Sequence, residues 1–275
     1  LTLERAPSVF KSFYYFIRLV FIQRRLIWSL TKREVSSQYV GSLLGFVWKL
    51  IQPLMMIAVF WVVFSMGFKV KPQNDVPFVV WFTAGLCAWF FFAEIVDGSI
   101  WLLISNANLI KKTVFHAHIL PVVKIGACLI AHGMFLVILM ALIAFSGMPF
   151  SLYYFQAVYY LVCLIVLSLG ISWAVSALNV FIRDVGQIVG VLLQMGFWAT
   201  PIFWELRIMP PQAQSFLKLN PMFYIVQGYR ESFIYFRPFW SHPRQTLYFW
   251  AFSIGIFVIG ALIFKKLKPQ FADVL

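Results

Sequence analysis

The chain of 275 residues is 62% hydrophobic and only 11% charged, with a mean hydropathy of +0.87. Soluble domains sit near half apolar and a quarter charged, so a water-soluble fold is excluded and lipid is the solvent for most side chains. The net charge of +13 is spread through apolar sequence rather than gathered on a polar module, which fits anionic lipid headgroups and argues against nucleic acid as a partner.

Residues 10–31 are apolar and aromatic but crossed by cations. Lys11, Arg18, Arg25 and Lys32 recur every seven residues, and a helix drifts only about 20° per heptad, so the four form one stripe. Phe13, Ile17, Val20, Phe21 and Trp28 take other faces. This pattern predicts a helix in the membrane interface with its basic face toward headgroups, or an amphipathic helix packed on protein. Arg18, Arg24 and Arg25 interrupt residues 1–30 where a secretory signal needs an unbroken apolar core.

Six apolar segments follow, at 43–68, 78–104, 119–145, 153–181, 188–204 and 247–264. A bilayer core about 30 Å thick needs roughly 20 helical residues to cross it. Backbone groups in hydrocarbon must be bonded within the segment, as helices do. No segment shows the period-two alternation of a barrel strand. The expectation is an all-α integral membrane protein with six transmembrane helices in one domain, 1–275. The fifth is short, with Pro201 near its end. Cys87, Cys128 and Cys163 each fall inside a span and read as small buried hydrophobes, not a disulfide framework. Six spans put both termini on one side. Of the 22 Lys and Arg residues, 15 fall on that side and 7 on the other, which predicts cytoplasmic termini.

Two connections stand out. The loop 105–121 reads SNANLIKKTVFHAHILP, polar and basic first, then apolar. Asn106 or Asn108 is placed to cap a short helix there. Such a helix, held between two spans, transmits motion to a soluble partner or serves as a plain connector. His116 and His118 have no Cys, Asp or Glu beside them to complete four ligands, so no metal is expected. The segment 207–244 carries too many charges to span, yet holds Phe216, Phe223, Tyr224, Phe233, Phe236 and Trp240. Pro210, Pro211 and Pro221 cut it into pieces, which predicts two short helices dipping into the outer leaflet, as a gate or a packed cap.

Glu94 and Asp97 interrupt the second span on one helix face. Lys124 and His132 in the third span are their expected partners, in a structural pairing near the cytoplasmic interface; a proton pathway is the alternative. Aromatic residues make up 19% of the chain. Interfacial belts explain many of them. Trp81, Trp89, Phe90, Phe91, Phe92 and Trp101 in one span exceed a belt and point to core packing or to faces for sugar rings.

No catalytic motif is present. Gly41 to Gly45 lead into Phe46 and Val47 rather than a phosphate-loop Lys-Ser or Lys-Thr. HExxH, GxSxG and a magnesium-holding pair of Asp-rich motifs are also missing. The chain is expected to be no enzyme and to hold no cofactor, with any energy source on another chain.

Four stretches, in order, carry a resemblance: REVSSQYVGSLLGFVWKLIQP at 33–53, NLIKKTVFHAHILP at 108–121, FIRDVGQIVGVLLQMGFWATPIF at 181–203 and LNPMFYIVQGYRE at 219–231. Together they resemble the membrane subunit of type-2 ABC exporters in the polysaccharide-exporting branch, near O-antigen exporters, with capsule and teichoic-acid exporters as relatives. The resemblance implies two copies of this subunit, two copies of a separate ATPase that binds ATP and Mg, and a lipid-linked polysaccharide as cargo. It implies an interfacial helix at 10–31, a coupling helix at 105–118 and a gate segment at 207–244. Asn108, Leu109, Ile110, Lys111, Lys112, Phe115 and His116 would dock on the ATPase. Arg33, Lys49 and Arg183 would attract the lipid headgroup at the cytoplasmic boundary. Trp48, Phe60, Trp61 and Phe64 on the first span, with Phe197, Trp198 and Phe203 on the fifth, would line the path. Glu94, Asp97 and Asp184 are read as structural charges. An exporter of drugs or other lipids on the same fold is the second reading, and a membrane-embedded transferase a remote one.

Overall fold

The computed structural model describes residues 9–38, 41–70, 76–112 and 115–275. The structure is all-helical, with no strand among the described residues. Among the described residues, five helices are long and apolar enough to cross a membrane: Trp48–Gly67, Phe78–Ile100, Ala117–Phe145, Leu152–Phe181 and Pro243–Val274. The fifth predicted span departs from expectation. Its helix, α9, covers only Asp184–Ala199, 16 residues. At 1.5 Å per residue that is about 24 Å, less than a full hydrocarbon core. The chain then runs irregularly through Thr200, Pro201 and Ile202. Pro201 has no amide hydrogen to continue the helix, and the residue before a proline is pushed out of helical geometry.

The amino-terminal region forms two helices rather than one: α1 (Val9–Ile22) and α2 (Arg24–Ser37), broken at Gln23. The basic stripe is therefore not a single helix face, although Arg18, Arg25 and Lys32 are all exposed. Leu19 and Leu30 are buried against Ile119 and Val123 at the start of α7 (Leu120–Phe145), which docks the pair on the bundle. The first span, α3 (Trp48–Phe60), continues as a π-helical turn over Trp61–Gly67 and carries Pro53 inside it.

The centre of the bundle is α4 (Phe78–Ile100), 78% buried over its apolar window, against 11% for the first span. It packs on α7, on α8 (Ala157–Phe181) and on α9. The strongest helix pair is α8 with α12 (Pro243–Leu267). Glycines make this possible. A Cβ on Gly170 would lie 2.6 Å from the Phe257 Cα, and one on Gly260 would strike the Gly170 carbonyl. The two backbones touch, as small residues allow where lipid supplies no hydrophobic drive between helices.

The helices α1 and α2, the carboxyl-terminal end and the 102–119 connection gather at one end of the bundle. Phe271 of α13 (Phe271–Val274) is buried against Phe181 and Phe264. The opposite end holds the segment after α9. There α10 (Pro211–Leu217) has no buried residue, while α11 (Pro221–Arg230) and the π turn after it, Glu231–Tyr235, bury almost every side chain among α4, α8 and α12. Of the two expected dipping helices, the second is a re-entrant core element and the first is a surface piece. Gly260→Val should push α12 off α8. We expect roughly 1–3 kcal/mol of destabilisation from overpacking, read as a lower unfolding temperature in detergent, with Gly255→Val, where a Cβ meets open space, as the silent control.

Candidate functional site

The broken end of α9 creates a chemical problem. Where a helix stops inside the bundle, the irregular chain after it carries carbonyls with no helical amide partner, and unsatisfied backbone groups there are costly. Arg230, at the end of α11, solves it. Its guanidinium donates from Nη1 to the Pro201 carbonyl at 2.8 Å and from Nη2 to the Ile202 carbonyl at 2.7 Å. Its carbon lies 3.5 Å from the centroid of the Trp81 ring, a close cation–π stack. Arg230 is 2% exposed. Asn220 makes a second tie: its Oδ1 accepts from the Met222 amide and caps α11, while its Nδ2 donates to Thr200 Oγ1 at 2.8 Å. The Thr-Pro-Ile of one stretch and the Asn and Arg of another are thus one interlocked unit.

Further bonds hold the re-entrant segment. Phe236 takes a left-handed conformation, φ 51°, where the chain reverses. Gln156 clamps the return, donating to the Arg237 carbonyl at 2.9 Å and accepting from the Phe239 amide at 2.8 Å. Glu231 is buried and faces His242 Nε2 at 3.1 Å. Tyr229 Oη meets His132 Nε2 at 2.9 Å. Beside this unit opens a cavity of about 270 Å³ whose wall includes Trp81, Pro201 and Arg230.

The predicted path aromatics largely converge. Phe60 stacks on Phe64 and meets Phe197 edge-on at 6.2 Å and Phe203 at 5.8 Å. Phe64, Phe197 and Trp198 also touch Phe203. Phe82 and Trp89 of α4 back this cluster. The first and fifth helices are therefore joined by rings at the end opposite the termini. Trp48 lies exposed at the other end of α3, and Trp61 is exposed on its outer face.

The end that carries the termini holds the other predicted residues. The loop forms two short helices, α5 (Leu102–Ser105) and α6 (Ala107–Lys112). Asn106 stands at their junction, but its side chain does not cap the start of α6: Nδ2 donates to the Leu102 carbonyl at 2.9 Å and Oδ1 accepts from Arg33 Nη2 at 2.9 Å. Asn108 and Lys111 are exposed on α6, Lys112 ends it, and residues 113–114 lie outside the described residues. Leu109, Ile110 and Phe115 turn inward onto the core. His116 faces Gln23 at 3.4 Å. Arg33, assigned to the headgroup, thus holds the loop to α2. Arg183 and Asp184 are exposed where α9 begins.

The expected charge partners are exchanged. Lys49 Nζ lies 2.7 Å from Glu94, and Lys124 Nζ lies 3.4 Å from Glu34. His132 bonds Tyr229 instead of a carboxylate, and Asp97 is exposed. The reason is geometric: Lys49 begins a helix lying beside the carboxyl end of α4, where Glu94 reaches it without crossing the bundle. Two amide side chains escaped the sequence reading. Asn179, fully buried, donates to the Ile100 carbonyl at 2.8 Å and accepts from the Gly186 amide, tying α4, α8 and α9 together. Gln156 is the other. A lone amide in a long apolar run is the signal that finds both, since only a bonded amide is tolerated there.

Arg230→Lys keeps the charge and loses the fork. We expect about 1.5–3 kcal/mol lost per carbonyl bond that a single ammonium cannot replace, measured by thermal unfolding in detergent, with Arg230→Leu worse. For the ion pair, Glu94→Gln alone should destabilise more than Glu94→Gln combined with Lys49→Met, because the single change strands a nearly buried ammonium. Equal losses from both would remove the pairing.

Comparison with known proteins adds the following. The ABC-2 type transporter family matches residues 25–234. The O-antigen export system permease protein RfbA of Klebsiella pneumoniae is 28% identical over 251 residues, 90% of this chain and 93% of that one. RfbA of Myxococcus xanthus is 28% identical over 94% of this chain and 98% of its own length. The capsule polysaccharide export inner-membrane protein CtrC of Neisseria meningitidis is 25% identical over 77% and 80%. The family match spans the coupled α9–α11 unit, the loop 102–119 and the helices that join them; this chain belongs to the ABC-2 type transporter family and is a multi-pass membrane protein with a transport role.

Proposed function

We propose that this chain is the membrane-spanning subunit of an ATP-driven exporter that moves a lipid-linked, O-antigen-like polysaccharide from cytoplasm to periplasm. The observation that carries this reading is the mechanical continuity of α9. At one end it starts beside the loop 102–119, bonded through Asn179 to the end of α4. At the other end it is locked to the re-entrant segment by Arg230 and Asn220. A push on the loop therefore shifts the far end as one body. The relatives that cover most of the chain are named as permeases of O-antigen export.

In this reading two copies meet along α3 and α9. Only Val189 of α9 and Pro53 and Ile57 of α3 are buried, so both present wide apolar faces outward. Two ATPase subunits dock on the exposed side of α6, through Asn108 and Lys111, while Leu109, Ile110 and Phe115 anchor that helix to the bundle. The termini are cytoplasmic, the membrane is the inner membrane, and α9 serves as a short sixth crossing. The diphosphate of the cargo is drawn by Arg183; Lys49, already held by Glu94, takes the headgroup only in exchange for that carboxylate. Sugars then pass the ring cluster of Phe60, Phe64, Phe197, Trp198 and Phe203, since aromatic faces stack on sugar rings.

The test is to purify the chain with the ATPase encoded beside it. A two-plus-two complex whose ATP hydrolysis depends on this subunit is the expected result, with glycan accumulating in the cytoplasm of a deletion strain. Failure to find any ATPase partner would sink the reading. Asn108→Ala with Lys111→Ala should cut export at least tenfold while protein level holds, because both side chains are exposed and support no packing. Normal export would remove the coupling role of α6.

A further inference from the structure

The cavity beside the Arg230 unit has a composition that packing alone does not require. Four cationic side chains line it, Arg207, Lys218, Arg230 and Arg237, against two carboxylates, Glu205 and Glu231. They come from separate pieces of chain: the turn Leu206–Ile208, the end of α10, the end of α11 and the strand of chain after the left-handed Phe236. Glu231 is engaged with His242 and Gln227, at 3.1 Å and 3.4 Å. The two shortest bonds of Arg230 go to carbonyls, which are dipoles and leave its unit charge in place at the cavity wall, where Glu205 is the carboxylate that acts on it. Cations drawn together at the edge of an apolar bundle repel one another, and an anion between them relieves that repulsion.

We propose that this cavity is an anion site for the phosphate or diphosphate headgroup of a polyprenyl-linked cargo, on the side of the membrane opposite the termini. The inference rests on the export reading above and adds a receiving site to it. Three features select this ligand class. Guanidinium forks match phosphate oxygens in two-point bonds. A volume of about 270 Å³ takes a diphosphate but not a folded oligosaccharide. The cavity also sits where α9 ends, on the segment that carries the exposed Trp240 and half-buried Trp204, aromatic residues of the kind that mark a membrane interface, so a headgroup held there leaves its chain in lipid and its glycan outside. A cargo released from the path of α3 and α9 thus meets compensating charge at the exit, which disfavours its return.

The experiment uses the full complex with its ATPase partner in nanodiscs, and farnesyl diphosphate as the probe. The variant is Lys218→Gln with Arg237→Gln, both exposed residues outside the carbonyl clasp; Lys218→Arg with Arg237→Lys is the conservative control. Binding at least tenfold weaker in the first variant, unchanged in the second, and weakening with salt, is expected. Equal binding by wild type and the Gln variant, or no binding by wild type, overturns the site. Inorganic pyrophosphate and phosphatidylglycerol in the disc distinguish the source. Competition by pyrophosphate alone supports the site and makes the phosphates sufficient. Competition by phosphatidylglycerol supports an anion site filled by resident lipid between transport cycles. The export reading fails separately, through absence of a partner-dependent ATPase, and stands if this site fails while export persists.

Discussion

The joint between the end of α9 and the re-entrant α11 depends on one guanidinium. In lipid, the carbonyls of an irregular segment just past a helix end must find donors. Here they come from a side chain twenty-eight and twenty-nine residues farther along the chain. That single arrangement allows α9 to be short, allows Thr200–Ile202 to run extended, and fixes the angle at which α11 enters the bundle. The Trp81 face adds a third wall, so the fork is held on the α4 side as well. Without Arg230, Pro201 would be an uncompensated break; with it, the break is a joint between α9 and α11.

The bundle divides by burial. α4, α8 and the re-entrant α11 form the packed interior, and α12 is fastened to α8 by glycine contact too close for any side chain. α3 and α9 lie outside this body, tied to it by rings and by Asn179. Aromatic contacts are broad and only weakly directional, each worth about 0.5–1.5 kcal/mol beyond buried area. They allow rings to slide where hydrogen bonds would not. The polar ties sit at the two ends of α9, with the rings of Phe197 and Trp198 beside the Thr200 end, an arrangement that keeps both ends of α9 in register.

Much of this was legible in the sequence, because the bilayer imposes a length and a composition on anything that crosses it. Five of the six predicted spans match long helices within a few residues, and the aromatic residues chosen on the first and fifth spans converge. What the sequence concealed was pairing. Glu94 was expected to meet Lys124 or His132; nothing in a one-dimensional pattern says that the start of α3 lies beside the end of α4. Gln23 breaks the amino-terminal helix without proline or glycine, so the heptad of cations looked continuous. Arg230 read as one more charge in a polar loop, because its burial follows from the re-entrant path of α11 and from carbonyls twenty-eight and twenty-nine residues earlier in the chain.

The Lys49–Glu94 pair carries a consequence for how the protein is made. An acid at Glu94, two turns inside the end of α4, raises the free energy of inserting that helix by itself, by about 2.5–3.5 kcal/mol at full depth. Its partner waits on the preceding span, already synthesised. The nascent chain therefore gains most by delivering α3 and α4 to the bilayer as a charge-neutral hairpin. The order of synthesis, cation first and acid second, spares the acid any time in lipid without its counterion.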